Sequence, residues 1–179
     1  MRPEDAGAMQ AMDSDDEEQA RGITIFTSVV LLAFEDNRKE GEDEPYIFQI
    51  HDTPGHLSFT GEVSRALRSS DGAILLVDAL EGMMTQTETN IRLSVGNEMC
   101  KPVVFINKVD RLISELRLSP SEVYARVDKI INDVNDLIRE LQPEGMKWTV
   151  TFAKSQVALG SAKHGWGFTM EILKDNNIK

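Results

Sequence analysis

The chain has 179 residues, 19 basic against 30 acidic, with a formal net charge of −11 at pH 7. That length fits one domain, and 41% hydrophobic with 27% charged residues supplies a core and excludes a fibrous repeat or global disorder. No run approaches the roughly 18 apolar residues of a membrane span, the amino terminus is acidic, and the net charge repels a phosphate backbone, so we expect a soluble, cytoplasmic protein with no membrane partner and no direct DNA binding.

Residues 1–18 are small, polar and acidic, with three Met, and end in the run Asp13-Ser14-Asp15-Asp16-Glu17-Glu18. They bury little and are expected to form a mobile lead-in. Residues 23–34 (ITIFTSVVLLAF) and 46–52 (YIFQIHD), separated by a polar loop over 35–44, predict an antiparallel strand pair. Val63, Ala66 and Leu67 predict a short amphipathic helix over 60–69, and residues 72–79 read as a buried strand. Thr85-Gln-Thr-Glu88 has the form of a capping box and opens a helix to about Gly96. Cys100, the only cysteine, excludes an intramolecular disulfide and a Cys-based zinc cluster, and beside a strand it reads as core filler.

The segment 101–108 (KPVVFINK) is another buried strand. Ser119-Pro120-Ser121-Glu122 combines a capping box with Pro at the first helical position, and apolar residues from Val123 to Leu141 follow at helical spacing. Thr149 to Phe152 and Gln156 to Leu159 are short strand candidates. Apolar strands alternating with helices indicate a mainly parallel α/β sheet covered on both faces, whose ligands sit at the carboxyl ends of the strands.

Three of those ends carry polar clusters, spaced about 50 residues apart. In Asp52-Thr53-Pro54-Gly55-His56 the aspartate suits Mg²⁺ held through water, and the glycine lets its amide approach a terminal phosphate; the plain alternative is a turn. In Asn107-Lys108-Val109-Asp110 the carboxylate of Asp110 suits the N1–H and exocyclic amine of guanine. A site of that kind discriminates by about 10⁴ or more, because the wrong base leaves a polar group unpaired. Asn107 is placed to bridge neighbouring loops and the Lys108 stem to lie over the base; the plain alternative is a charged helix cap. Gly160-Ser161-Ala162-Lys163 is a small-residue turn suited to aiming a backbone N–H at a base oxygen, or simply a turn.

Taken in order, Arg21-Gly22-Ile23-Thr24-Ile25, DTPGH, NKVD and GSAK resemble the second to fifth motifs of the translational GTPases. The flanks EEQARGITI, DTPGHLSFTGEVSRALRSSDGAILLVDALEGMMTQTET, KPVVFINKVDRLISELRLSPSE and GWGF resemble the elongation-factor-two branch, nearer its archaeal form, over residues 17–168. The resemblance implies that Thr24 binds Mg²⁺ and senses the γ-phosphate, that Asp52 binds Mg²⁺ through water, and that Gly55 contacts the γ-phosphate. It also implies that His56 orients the attacking water, that Asn107, Lys108 and Asp110 read guanine, and that Ser161 and Ala162 complete the base pocket. GTP or GDP and Mg²⁺ are the implied cofactors, and the ribosome and a guanine nucleotide the implied partners.

One element of the family pattern is missing. The sequence contains no Gly-Lys pair, hence no G-x-x-x-x-G-K-[ST] loop to cradle phosphates, and only 23 residues precede Thr24. The implied fold is a P-loop-NTPase-like α/β domain lacking its first strand, P-loop and first helix. The loss predicts that the strands ending at Asp52 and Asp78 expose hydrophobic edges or pair with each other. We therefore expect an acidic lead-in over 1–18, an incomplete GTP-binding domain over 19–168 and a truncated segment over 169–179. The expected function is that of a GTP-binding fragment of a factor that couples GTP hydrolysis to ribosomal translocation, itself weak in nucleotide binding. The alternatives are a non-catalytic partner-binding module, a split protein completed by a strand from another chain, or a translational GTPase of the release or initiation type.

Overall fold

The computed structural model describes residues 15–34 and 45–178, and the chain divides after Ala66 into two compact units, each described by itself. Residues 1–14 of the expected lead-in and the loop 35–44 lie outside the described residues.

In the unit that ends at Ala66, the acidic run does something its composition does not suggest. Asp15 caps helix α1 (Asp16–Arg21), its carboxylate accepting from the Glu17 N–H at 2.8 Å, while Glu18 reaches back to the Asp15 N–H at 3.2 Å. Three acidic residues in the first turn and Arg21 in the last suit the helix dipole. Gly22 ends the helix in the left-handed conformation at φ 65°. Strand β1 (Ser28–Phe34) then pairs antiparallel with β2 (Tyr46–Asp52), Leu32 opposite Phe48 and Ser28 opposite Asp52, as the two apolar runs predict. The first strand starts at Ser28 rather than Ile23, because Glu18 takes the amides of Ile25 and Phe26 out of reach of any ladder. Helix α2 (Thr60–Leu67) follows a 3₁₀ turn and buries Val63 and Ala66.

The second unit is built on a four-stranded sheet ordered β3 (Gly72–Asp78), β4 (Lys101–Asn107), β5 (Val157–Ser161) and β6 (Trp166–Phe168). The first three run parallel and β6 antiparallel to β5, giving the mainly parallel α/β sheet expected. Alternation sends Leu75, Val77, Val104 and Ile106 to a single face, where all are at most 6% exposed. Helix α3 (Thr85–Ile91), its wider π-helical continuation Arg92–Asn97, α4 (Val109–Ser114) and α5 (Pro120–Leu141) cover them with Ile91, Val95, Leu112, Ile130, Val134 and Ile138. Fully burying one such side chain is worth about 1.5–3 kcal/mol, so this layer fixes the strands whose ends carry the polar clusters. Helix α6 (Met170–Asp175) closes the described chain.

β3 lies at the edge of its sheet, and Ile74 and Leu76, alternating with the buried Leu75 and Val77, are 65% and 66% exposed on the sheet face opposite the helices. Two local expectations are corrected. Residues 149–152 form no strand: the Asn135 side chain of α5 donates to the Val150 carbonyl and accepts from the Val150 N–H, both at 2.8 Å, so a side-chain amide takes the place of a neighbouring strand. The Thr85 capping box is also absent. The N-cap is Met84, whose carbonyl accepts from the Glu88 N–H at 2.9 Å, so Glu88 falls one position too late to reach back. The Ser119–Glu122 capping box of α5 forms as predicted.

Candidate functional site

In the sheet unit, the predicted residues at the ends of β4 and β5 are brought together by their own chemistry. Asn107 is the last residue of β4, and its Oδ1 accepts from the Lys108 N–H at 2.8 Å and from the Ala162 N–H at 2.9 Å. Two backbone donors on one atom identify it as the oxygen and tie together loops 55 residues apart in sequence. Ser161, 1% exposed, is the last residue of β5, and its carbonyl and hydroxyl accept from the His164 N–H at 3.2 and 3.4 Å, closing the turn.

Lys108 precedes α4 with φ 63° and ψ 28°, the left-handed region that costs a non-glycine residue about 1–2 kcal/mol. Its ammonium lies 2.7 Å from the Asp78 carboxylate at the end of β3. Asp78 is held in turn by the Leu80 N–H at 2.8 Å and the Glu81 N–H at 3.4 Å. Burial pushes the Asp78 carboxyl up, but the Lys108 ammonium and those two amides outweigh it and hold it below the ordinary carboxylate range. Asp78 was not singled out from the sequence; its position at a strand end beside a turn was the signal that could have found it.

Asp110 sits in the first turn of α4 with its side chain 18% exposed. Its Oδ2 lies 3.4 Å from His164 Nε2, while Oδ1 is buried without a hydrogen-bond partner in the structure. The Ser161 side chain, more than the nearby His164 and Lys163, holds this carboxyl below its ordinary range against the opposing effect of burial. An ionised carboxylate is an acceptor at both oxygens, and the exposed part of the Asp110 side chain is the part that a ligand N–H can reach. His164 is a second neighbour that sequence reading missed.

The other predicted residues belong to the first unit. Thr24 is half-buried in the segment between α1 and β1. Asp52 closes β2, Pro54 is buried, and Gly55 is exposed in the turn that follows. His56 caps the 3₁₀ turn Leu57–Phe59, its Nδ1 accepting from the Ser58 N–H at 3.2 Å, with its ring centroid 6.0 Å from that of Phe59. An imidazole that accepts at Nδ1 carries its proton on Nε2, so the exposed nitrogen is a donor in this arrangement. No group of three or more His, Cys, Asp or Glu side chains among the described residues is arranged to hold a metal ion. That does not disfavour Mg²⁺, which is typically held by one or two protein oxygens together with substrate phosphates.

The family model described as elongation factor Tu GTP binding domain matches residues 1–177. Elongation factor 2 of Ignicoccus hospitalis is 48% identical over 182 residues, covering 100% of this chain and 24% of that protein. Elongation factor 2 of Methanocaldococcus jannaschii is 48% identical over 175 residues, covering 97% and 23%. The crystal structure of a bacterial selenocysteine-specific elongation factor, EF-Sec, superposes with a TM-score of 0.60 at 23% identity, over 92% of this chain and 23% of that one, a likeness of fold alone. The chain thus spans about a quarter of the length of the curated relatives it matches. The resemblance read from RGITI, DTPGH, NKVD and GSAK holds over the whole chain, and the protein belongs to the family of elongation factor Tu GTP binding domains.

Proposed function

We propose that this chain supplies the guanine-recognising part of an elongation-factor-2-type GTPase, acting in the cytoplasm on the ribosome, where the full-length factor couples GTP hydrolysis to translocation. The observation that carries the reading is the linked end of β4 and β5: Asn107 bonded to both Lys108 and Ala162, with the partly exposed Asp110 carboxylate beside them. The N1–H and exocyclic amine of guanine are two parallel donors that suit one carboxylate, whereas adenine offers no such pair. Lys108, anchored by Asp78, lays its stem over the base, and the Ala162 turn with Ser161 closes the pocket.

In this reading Thr24 and Asp52 hold Mg²⁺, directly and through water, and Gly55 approaches the terminal phosphate. The ion supplies charge neutralisation at the phosphates when bound. His56, donating from Nε2, orients the attacking water. Phosphoryl transfer asks mainly for positioning and charge stabilisation, which these groups provide without covalent chemistry. Because no Gly-Lys loop is present in the sequence, base recognition operates here with few phosphate contacts, and affinity is low.

The test is isothermal titration of the chain with Mg²⁺-GDP and, as control, Mg²⁺-ADP. The reading predicts weak binding that favours GDP by at least about tenfold, a difference of about 1.4 kcal/mol. Equal affinity for the two nucleotides contradicts it.

A further inference from the structure

Glu18 has no part in the nucleotide chemistry above, yet it is 2% exposed, with no cation paired to it among the described residues. Its carboxylate is satisfied by three backbone amides. Oε2 accepts from Asp15 N at 3.2 Å, and Oε1 accepts from both Ile25 N and Phe26 N at 2.8 Å. Hydrogen bonds to an ionised acceptor are the strong ones, and a buried carboxylate persists only where such donors surround it. The Phe26 and Ile25 amides are also the main reason its carboxyl lies below the ordinary glutamate range.

The backbone of the same residue holds the other end of the segment, the Glu18 carbonyl accepting from Gly22 N at 2.8 Å. Gly22 turns the chain at φ 65°, a conformation that suits glycine. The stretch from Gly22 to Phe26 is therefore fastened at both ends to one residue, and Thr24 lies between the fastenings. An ordinary capping box needs only the Asp15 contact. The contacts to Ile25 and Phe26 serve the segment instead.

We propose that Glu18 is a positioning residue that fixes the turn from Gly22 to Phe26 and so determines where the Thr24 hydroxyl is presented. Its functional consequence rests on reading Thr24 as the residue that meets Mg²⁺ and the terminal phosphate. Without Glu18 the two amides turn to water and the turn loses the contacts that fasten its far end.

The test compares the full chain with Glu18→Ala, Glu18→Gln and Asp15→Ala by amide hydrogen exchange. Glu18→Ala is expected to speed exchange at Ile25 and Phe26 by at least about tenfold, with Val104 and Ile106 unchanged. Glu18→Gln, which keeps one carbonyl oxygen, gives a smaller rise. Asp15→Ala, which weakens the helix cap but leaves Oε1 in place, gives none at these two amides. No rise in Glu18→Ala, or an equal rise in Asp15→Ala, overturns the proposal. Titration of the same proteins with Mg²⁺-GTP and Mg²⁺-GDP separates the two readings. Glu18→Ala is expected to lose about tenfold more affinity for GTP than for GDP, because only GTP offers Thr24 the terminal phosphate in addition to Mg²⁺. Equal losses for both nucleotides contradict the route through Thr24. A parent chain that binds neither, while the exchange result holds, removes the nucleotide reading and leaves the positioning of the turn standing.

Discussion

Replacing Asn107 with Ala removes an atom that ties the β4 and β5 loops together through the backbone. Its Oδ1 accepts two backbone hydrogen bonds, at 2.8 Å from Lys108 and 2.9 Å from Ala162. At about 0.5–1.5 kcal/mol each, their loss costs about 1–3 kcal/mol, and the methyl group of alanine restores neither. The Lys108 backbone, already in the left-handed region at φ 63°, loses the bond from its N–H and keeps the bond its carbonyl accepts from the Arg111 N–H at 3.0 Å, beside the side-chain ion pair to Asp78. Both tryptophans, Trp148 and Trp166, lie in the same unit as the substitution, so urea unfolding followed by tryptophan fluorescence reads this unit directly. The expected result is a midpoint lowered by that free energy at unchanged slope, together with faster amide exchange at Ala162. A loss below about 0.5 kcal/mol with Ala162 still protected would refute the view that Asn107 joins the loops.

Three further outcomes follow from the same structure. The Asp78 carboxyl lies below its ordinary range when folded, so its contribution is complete above its unfolded pKa of about 3.9 and is lost as pH falls through the lower folded value; stability measured from pH 6 down to pH 2 should fall less in Asp78→Asn than in the parent chain, and parallel curves would contradict the ion pair with Lys108. Asn135→Ala leaves the N–H and carbonyl of Val150, 1% exposed, without partners, and is expected to cost about 2–5 kcal/mol in urea unfolding. Gly160→Ala would set a Cβ 2.5 Å from the Trp166 carbonyl oxygen and 2.7 Å from Phe105 Cζ, so it is expected to cost about 1–3 kcal/mol and to loosen β6, seen as a shifted Trp166 emission.

Much of this architecture is legible in the sequence where one physical signal dominates. Continuous apolar runs give β3 and β4, and Ser119-Pro120 with Glu122 gives the start of α5, because those residues act on their immediate neighbours. The polar clusters after β2, β4 and β5 stand out because their residue types are wasted in a core. What escapes is every feature whose partner is distant or of an unexpected kind. The strand expected over 149–152 is unmade by a side chain 15 residues away, and no pattern in its own residues says so. Glu18 looks like one more solvated charge in an acidic run, yet it is buried by amides seven and eight residues further on. Asp78 and His164 gain their places beside Lys108 and Asp110 only once the sheet brings its strand ends together. Helix α4 and strand β6, six and three residues long, are too short to show a period.

The most direct test of a guanine-reading pocket at the ends of β4 and β5 is a titration of the isotopically labelled chain with GDP and with ADP, followed by NMR at single amides. The account predicts that GDP alone shifts the amides of Lys108, Asp110 and Ala162, in the same concentration range for all three, and that Asp110→Ala abolishes the shifts. Equal shifts with ADP, or GDP shifts that leave these three amides untouched, would contradict it.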